Sequence, residues 1–101
     1  MVNRMDERIV EFVKKYEISD LEINDMLAIS PMLEVQTFED FMENAALLVS
    51  FGYPESDLDV LLLANPNLFV MSTSDLNEEL LALKKKGFDI EVILKENPII
   101  I

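Results

Sequence analysis

Almost every side chain in this sequence that could take part in chemistry is a carboxylate. Twenty Asp and Glu stand against eight Lys and Arg, with no His and no Cys. Paired carboxylates can move protons, and spaced ones can hold a hard cation such as calcium. Two stretches carry the alternating acids of a calcium loop: Asp20-Leu21-Glu22-Ile23-Asn24-Asp25, and Glu55, Asp57 and Asp59. Neither has glycine at the sixth position, and Pro31 stands where the first would need its closing glutamate. Acids so placed suit the first turn of a helix, where they face the positive end of its dipole. The missing His and Cys exclude thiol nucleophiles, cysteine zinc sites and disulfides, and remove the commonest general base. The expectation is a protein that is not an enzyme. It has no catalytic, cofactor-binding or metal-ligating residue, no cofactor and no evident small-molecule substrate.

The remaining candidates are binding features. Lys84, Lys85 and Lys86 form the one run of cations. They are a candidate phosphate contact, set against the plainer reading of cations complementing a helix C-terminus. Arg4, Arg8, Lys14 and Lys15 are diluted by Asp6, Glu7 and Glu11. Ile99, Ile100 and Ile101 are a candidate interaction surface: three β-branched residues either fold back on the last helices or meet a partner. The aromatic residues fall on apolar stripes or at turns and read as core.

The net charge of −12 is unevenly spread. Residues 34–69 carry seven acids and no Lys or Arg. Such a chain is repelled by phosphate backbones and anionic lipid. The N-terminal residues lack the basic and apolar blocks of a signal peptide, and the apolar runs are too short to cross a bilayer. A cytoplasmic protein with no membrane association is expected.

The elements that would position these residues follow from three prolines. Pro31, Pro66 and Pro98 lie 35 and 32 residues apart. Eight, five and four residues before each stands an apolar side chain: Ile23, Met26 and Leu27; Leu58, Leu61 and Leu62; Ile90, Ile93 and Leu94. That spacing makes one helical stripe. The residue before each proline is small and polar (Ser30, Asn65, Asn97), and two after it comes Leu33, Leu68 or Ile100. Proline cannot continue a helix and biases its predecessor out of the α region, so each short helix stops there. A longer helix precedes each short one. Its stripe is Met5, Ile9 and Phe12, then Phe41, Ala45 and Leu48, then Leu76, Leu80 and Leu83. Gly52 and Gly87 suit the left-handed position that ends a helix, whereas Tyr16 occupies that place in the first unit. Thr37 with Asp40 and Ser56 with Asp59 read as capping pairs, and Asp89 and either Ser72 or Ser74 as N-caps. Helices are expected near 4–15, 20–29, 37–51, 56–64, 74–86 and 89–96.

The stretch from Leu80 through Lys84-Lys85-Lys86-Gly87-Phe88-Asp89-Ile90 to Asn97-Pro98-Ile99-Ile100 resembles the helical repeat of the mitochondrial transcription termination factor (mTERF) family. Gly52-Tyr53-Pro54 through Asn65-Pro66-Asn67-Leu68-Phe69 matches the same template, and the first unit matches it more loosely. The resemblance implies an all-α fold, a short right-handed helical-repeat solenoid of about three helix-pair units. These are about 4–35, 36–71 and 72–101, within a single domain spanning 1–101. It also implies a positively charged groove for nucleic acid, which eight scattered cations do not assemble. The function expected from the residues is a non-enzymatic acidic helical-repeat module whose partner is another protein. The alternatives are a nucleic-acid-binding regulator like that family, or an acidic mimic of DNA.

Overall fold

The computed structural model describes residues 5–101. Arg4, the first residue of the expected first helix, lies outside that range. Among the described residues the chain forms six α-helices and no strand. They are α1 (Glu7–Lys14), α2 (Asp20–Ile29), α3 (Phe38–Ser50), α4 (Leu58–Ala64), α5 (Thr73–Lys85) and α6 (Ile90–Glu96).

Side-chain caps start five of the six. Asp6, Thr37, Ser72 and Asp89 each accept from a backbone N–H in the first turn of α1, α3, α5 and α6. Ser19 and Glu22 form a reciprocal capping box at α2, with Ser19 N donating to the Glu22 carboxylate at 2.9 Å. Each cap is worth about 1 kcal/mol. Helix α4 departs from expectation, because Ser56 and Asp59 do not cap it. After Pro54 the chain enters a 3-10 turn over Glu55–Asp57, closed by Asp57 N donating to Pro54 O at 3.0 Å. The α-helix then grows from that turn, so its first amides need no side-chain acceptor.

Helices α1, α3 and α5 end in two ways. At α3, Gly52 N donates to Val49 O and Tyr53 N to Leu48 O; at α5, Gly87 N donates to Lys84 O and Phe88 N to Leu83 O. These are Schellman pairs, with Gly52 at φ 106° and Gly87 at φ 90°. Helix α1 ends without glycine. The chain continues through Tyr16, and Glu17 takes the left-handed conformation at φ 62°. Glu17 N donates to Lys14 O at 2.9 Å, the counterpart of the bonds from Gly52 and Gly87.

Helices α2, α4 and α6 all stop alike. Ser30, Asn65 and Asn97 have φ/ψ of −131/79°, −152/75° and −145/80°. Their amides donate to Met26 O, Leu61 O and Ile93 O at 2.7–2.8 Å. Their carbonyls then accept from Leu33, Leu68 and Ile100 at 3.0–3.2 Å. One conformation therefore recurs before each proline, and the apolar residue two beyond it turns back to the core.

Helix α1 packs on α3 and α3 on α5, while α2 packs on α4 and α4 on α6. Helices α1, α3 and α5 thus form one layer and α2, α4 and α6 the other. In the first pair the expected order of lengths is reversed, α1 having 8 residues and α2 10, because the Asp6 cap starts α1 later than expected. The chain measures 42 × 23 × 20 Å with a radius of gyration of 13.0 Å. The core lies between the layers and takes in both expected stripes. Met5, Ile9, Ile23, Met26, Phe41, Leu48, Leu58, Leu61, Leu76, Leu80 and Leu94 are buried. Phe12, Leu27 and Ile93 are only partly buried and pack against its edge. Full burial of a Leu or Phe side chain contributes about 1.5–3 kcal/mol. Among the described residues, no helix is long and apolar enough to cross a membrane.

Candidate interaction surface

Polar side chains join each proline turn to the next. Ser30 Oγ donates to Asn67 Oδ1. Asn65 Nδ2 donates to Pro98 O at 2.9 Å, and Gln36 Nε2 to Phe69 O at 2.7 Å. Asn44 is fully buried on the apolar stripe of α3. Its amide donates to Leu68 O at 3.1 Å and Met71 O at 2.8 Å, and its carbonyl accepts from Thr73 Oγ1 at 2.5 Å. That one side chain anchors the segment leading from α4 to α5. Asn97 is at the same point of the pattern as Ser30 and Asn65, yet it is exposed.

Among the described residues, Arg8, Lys14 and Lys95 pair with carboxylates. Arg8 bonds Asp6 at 3.2 Å and Glu39 at 3.1 Å, with its guanidinium 4.8 Å from the centre of the Phe38 ring. Hydrogen bonds from Arg8 hold the Asp6 carboxyl below its usual range. Lys14 meets Asp20 at 2.6 Å. Lys95 bridges Asp57 at 2.8 Å and Glu91 at 2.9 Å and stands 5.8 Å from the Tyr53 ring centre. Those two carboxylates keep the Lys95 ammonium protonated beyond its normal range. Exposed pairs of this kind add little stability singly. Beneath Lys95, the Tyr53 hydroxyl is buried without a hydrogen-bond partner, and burial pushes its pKa up.

Between α1 and α3 runs an open groove of about 230 Å³. Phe12, Met42, Ala45, Ala46, Val49 and Leu58 line it, with Glu55 at its edge. Tyr16 OH donates to Glu55 O at 2.8 Å and fixes the 3-10 turn beside α1. Burial raises the Tyr16 pKa, and the charges of Glu55 and Asp59 raise it further. Phe12 continues an aromatic row: Tyr16 and Phe41 meet it edge-on at 5.5 and 5.7 Å, and Phe69 stacks on Phe41 at 5.1 Å.

Lys84, Lys85 and Lys86 are exposed at the end of α5, with Lys84 Nζ 5.9 Å from the Phe51 ring centre. The three isoleucines divide. Ile100 and Ile101 pack against the core, and Ile99 is 71% exposed. In the acid-rich segment before Pro31, Asp20 pairs with Lys14 and Glu22 caps its own helix. Among the described residues, no three acids gather where a metal ion could sit.

Asn44 and Gln36 escaped the sequence reading. Asn44 did leave a signal, as the polar member of an otherwise apolar stripe through Phe41, Ala45 and Leu48. Gln36 left none, because its acceptor is a backbone carbonyl 33 residues away. Set beside known protein families, curated proteins and solved structures, the chain matches none of them.

Proposed function

We propose that this chain is a short right-handed solenoid of three helix-pair units, similar in architecture to the mTERF repeat, and that it works as a non-enzymatic module binding another protein. The shared conformation of Ser30, Asn65 and Asn97, with ties from Ser30 and Asn65 to the next turn, supports equivalent stacked units. The observation that carries the binding role is the middle of the chain. Residues 34–69 contribute acids without a single cation, and they also expose Val49, Val60 and Leu63. A surface that is negative and apolar together selects positively charged, partly apolar partners.

The test compares affinity capture by the native chain with capture by a Glu39→Gln, Asp40→Asn, Glu43→Gln, Glu55→Gln variant. A defined protein retained by the first and lost by the second is the expected result. Recovery of the same background proteins by both counts against the reading.

A second reading, nucleic-acid binding, has the exposed run Lys84, Lys85 and Lys86 in its favour. It requires binding to DNA or RNA that weakens steeply with salt and is lost when the three lysines become alanine. No binding at low salt ends it.

A further inference from the structure

We infer that the groove between α1 and α3 seats a cationic amphipathic helix of another protein, an inference built on the protein-binding reading above. Its shape comes from residue size. Ala45 and Ala46 leave a trough, while Phe12 on α1 and Met42 on α3 stand on either side of it. Met42, Ala46 and Val49 follow one another at four- and three-residue steps, so they form a stripe of α3 that faces the groove. Val49 is 37% exposed, and α3 buries its adjoining stripe of Phe41, Asn44, Ala45 and Leu48 in the core, with Ala45 on the border between the two. The trough has room for the apolar teeth of a helix presented at i, i+3 and i+4. Met42 adapts its thioether to whatever shape enters.

Charge decides which helix. Glu55 lines the groove, and the ion pairs of Arg8, Lys14 and Lys95 all go to other carboxylates. Asp59 stands in the first turn of α4, next to Leu58, which lines the groove. Arg8 does not offset them, because Asp6 and Glu39 already hold it. Lys15 sits at the C-cap of α1, outside the lining. A second copy of this chain, at −12, meets repulsion there, as do nucleic acid and anionic lipid. A helix with Leu or Ile on one face and Lys or Arg along its flanks satisfies both the trough and its rim.

The experiment titrates a fluorescent Leu/Lys amphipathic peptide of about five helical turns into the full chain at about 0.15 M salt. A peptide of equal composition with its apolar face scrambled serves as comparator. Tight binding of the amphipathic peptide only, weakened about tenfold or more by Ala46→Gln with Val49→Gln, is the expected result. Those substitutions fill the groove without changing charge. Glu55→Gln with Asp59→Asn should weaken binding a few-fold and flatten its salt dependence. Methyl resonances of Met42, Ala46 and Val49 in the unsubstituted chain provide a readout independent of variant folding, and they should shift first. Equal binding of the scrambled peptide, or shifts confined to other faces, overturns the groove assignment. Protein capture that depends on the acidic surface but ignores the groove variants overturns it too, while leaving the broader reading standing.

Discussion

The side-chain amide of Asn65 donates to the carbonyl of Pro98 at 2.9 Å, across 33 residues of chain. Asn65 is itself 4% exposed, so water cannot readily replace that bond. The residue that stops α4 therefore also holds the turn that follows α6.

Replacing Asn65 with leucine keeps the bulk and removes the donor, leaving the Pro98 carbonyl short of a partner. A loss of about 1–3 kcal/mol is expected, read from the urea midpoint. Ser30→Ala breaks the corresponding tie to Asn67, and the two losses should add to within about 0.5 kcal/mol. Strong non-additivity would mean the two ties are not independent.

Asn44→Leu should be among the costlier polar substitutions, at about 2–3 kcal/mol, because the carbonyls of Leu68 and Met71 and the Thr73 hydroxyl all lose it. A stability equal to that of the native chain would show that these groups find other partners.

Left-handed residues should respond with opposite signs. Gly52→Ala places a Cβ in open space, so its cost is backbone strain alone, about 1–2 kcal/mol. Glu17→Gly relieves the same strain at φ 62° and should stabilise by up to about 1 kcal/mol. Thermal melts of the two variants settle the signs.

Alkaline pH should destabilise the fold. Lys95, Tyr16 and Tyr53 all have folded pKa values raised above their unfolded ones, the lysine through its carboxylate hydrogen bonds and the tyrosines through burial. The stability they contribute is complete below about pH 10 and is lost as pH climbs through the raised values. Tyrosine absorbance followed with helical circular dichroism should show phenol ionisation coinciding with unfolding. Normal titration of both tyrosines in a helical protein would contradict this.

Added salt should raise the melting temperature, since screening relieves the self-repulsion of a chain at −12. A fall would mean that the pairs made by Arg8, Lys14 and Lys95 outweigh that repulsion.

The helices were legible because the punctuation is local. Proline acts on its own predecessor and glycine on its own φ, so Pro31, Pro66, Pro98, Gly52 and Gly87 mark element ends wherever the rest of the chain goes. Where two local signals competed, reading was harder. Ser56 and Asp59 have capping spacing, but Pro54 two residues earlier sets up a 3-10 turn that makes the cap unnecessary. Ser19 and Glu22 have the same spacing without such a rival, and there the box forms. The groove was not legible at all. Its walls come from α1, α3 and the start of α4, and no spacing within one helix announces which of its small residues will face a gap.

The pairwise order of packing also bears on how motion is distributed in time. Helix α3 is held by α1 on one side and α5 on the other, and α4 by α2 and α6, whereas the outer helices each have a neighbour in their own layer on one side only. Backbone amides of α1 and α6 should then exchange with deuterium through openings that leave the centre closed, and those of α3 and α4 should exchange last. Protection would rise from both ends towards the middle, and the slowest protons would report the free energy of the whole molecule.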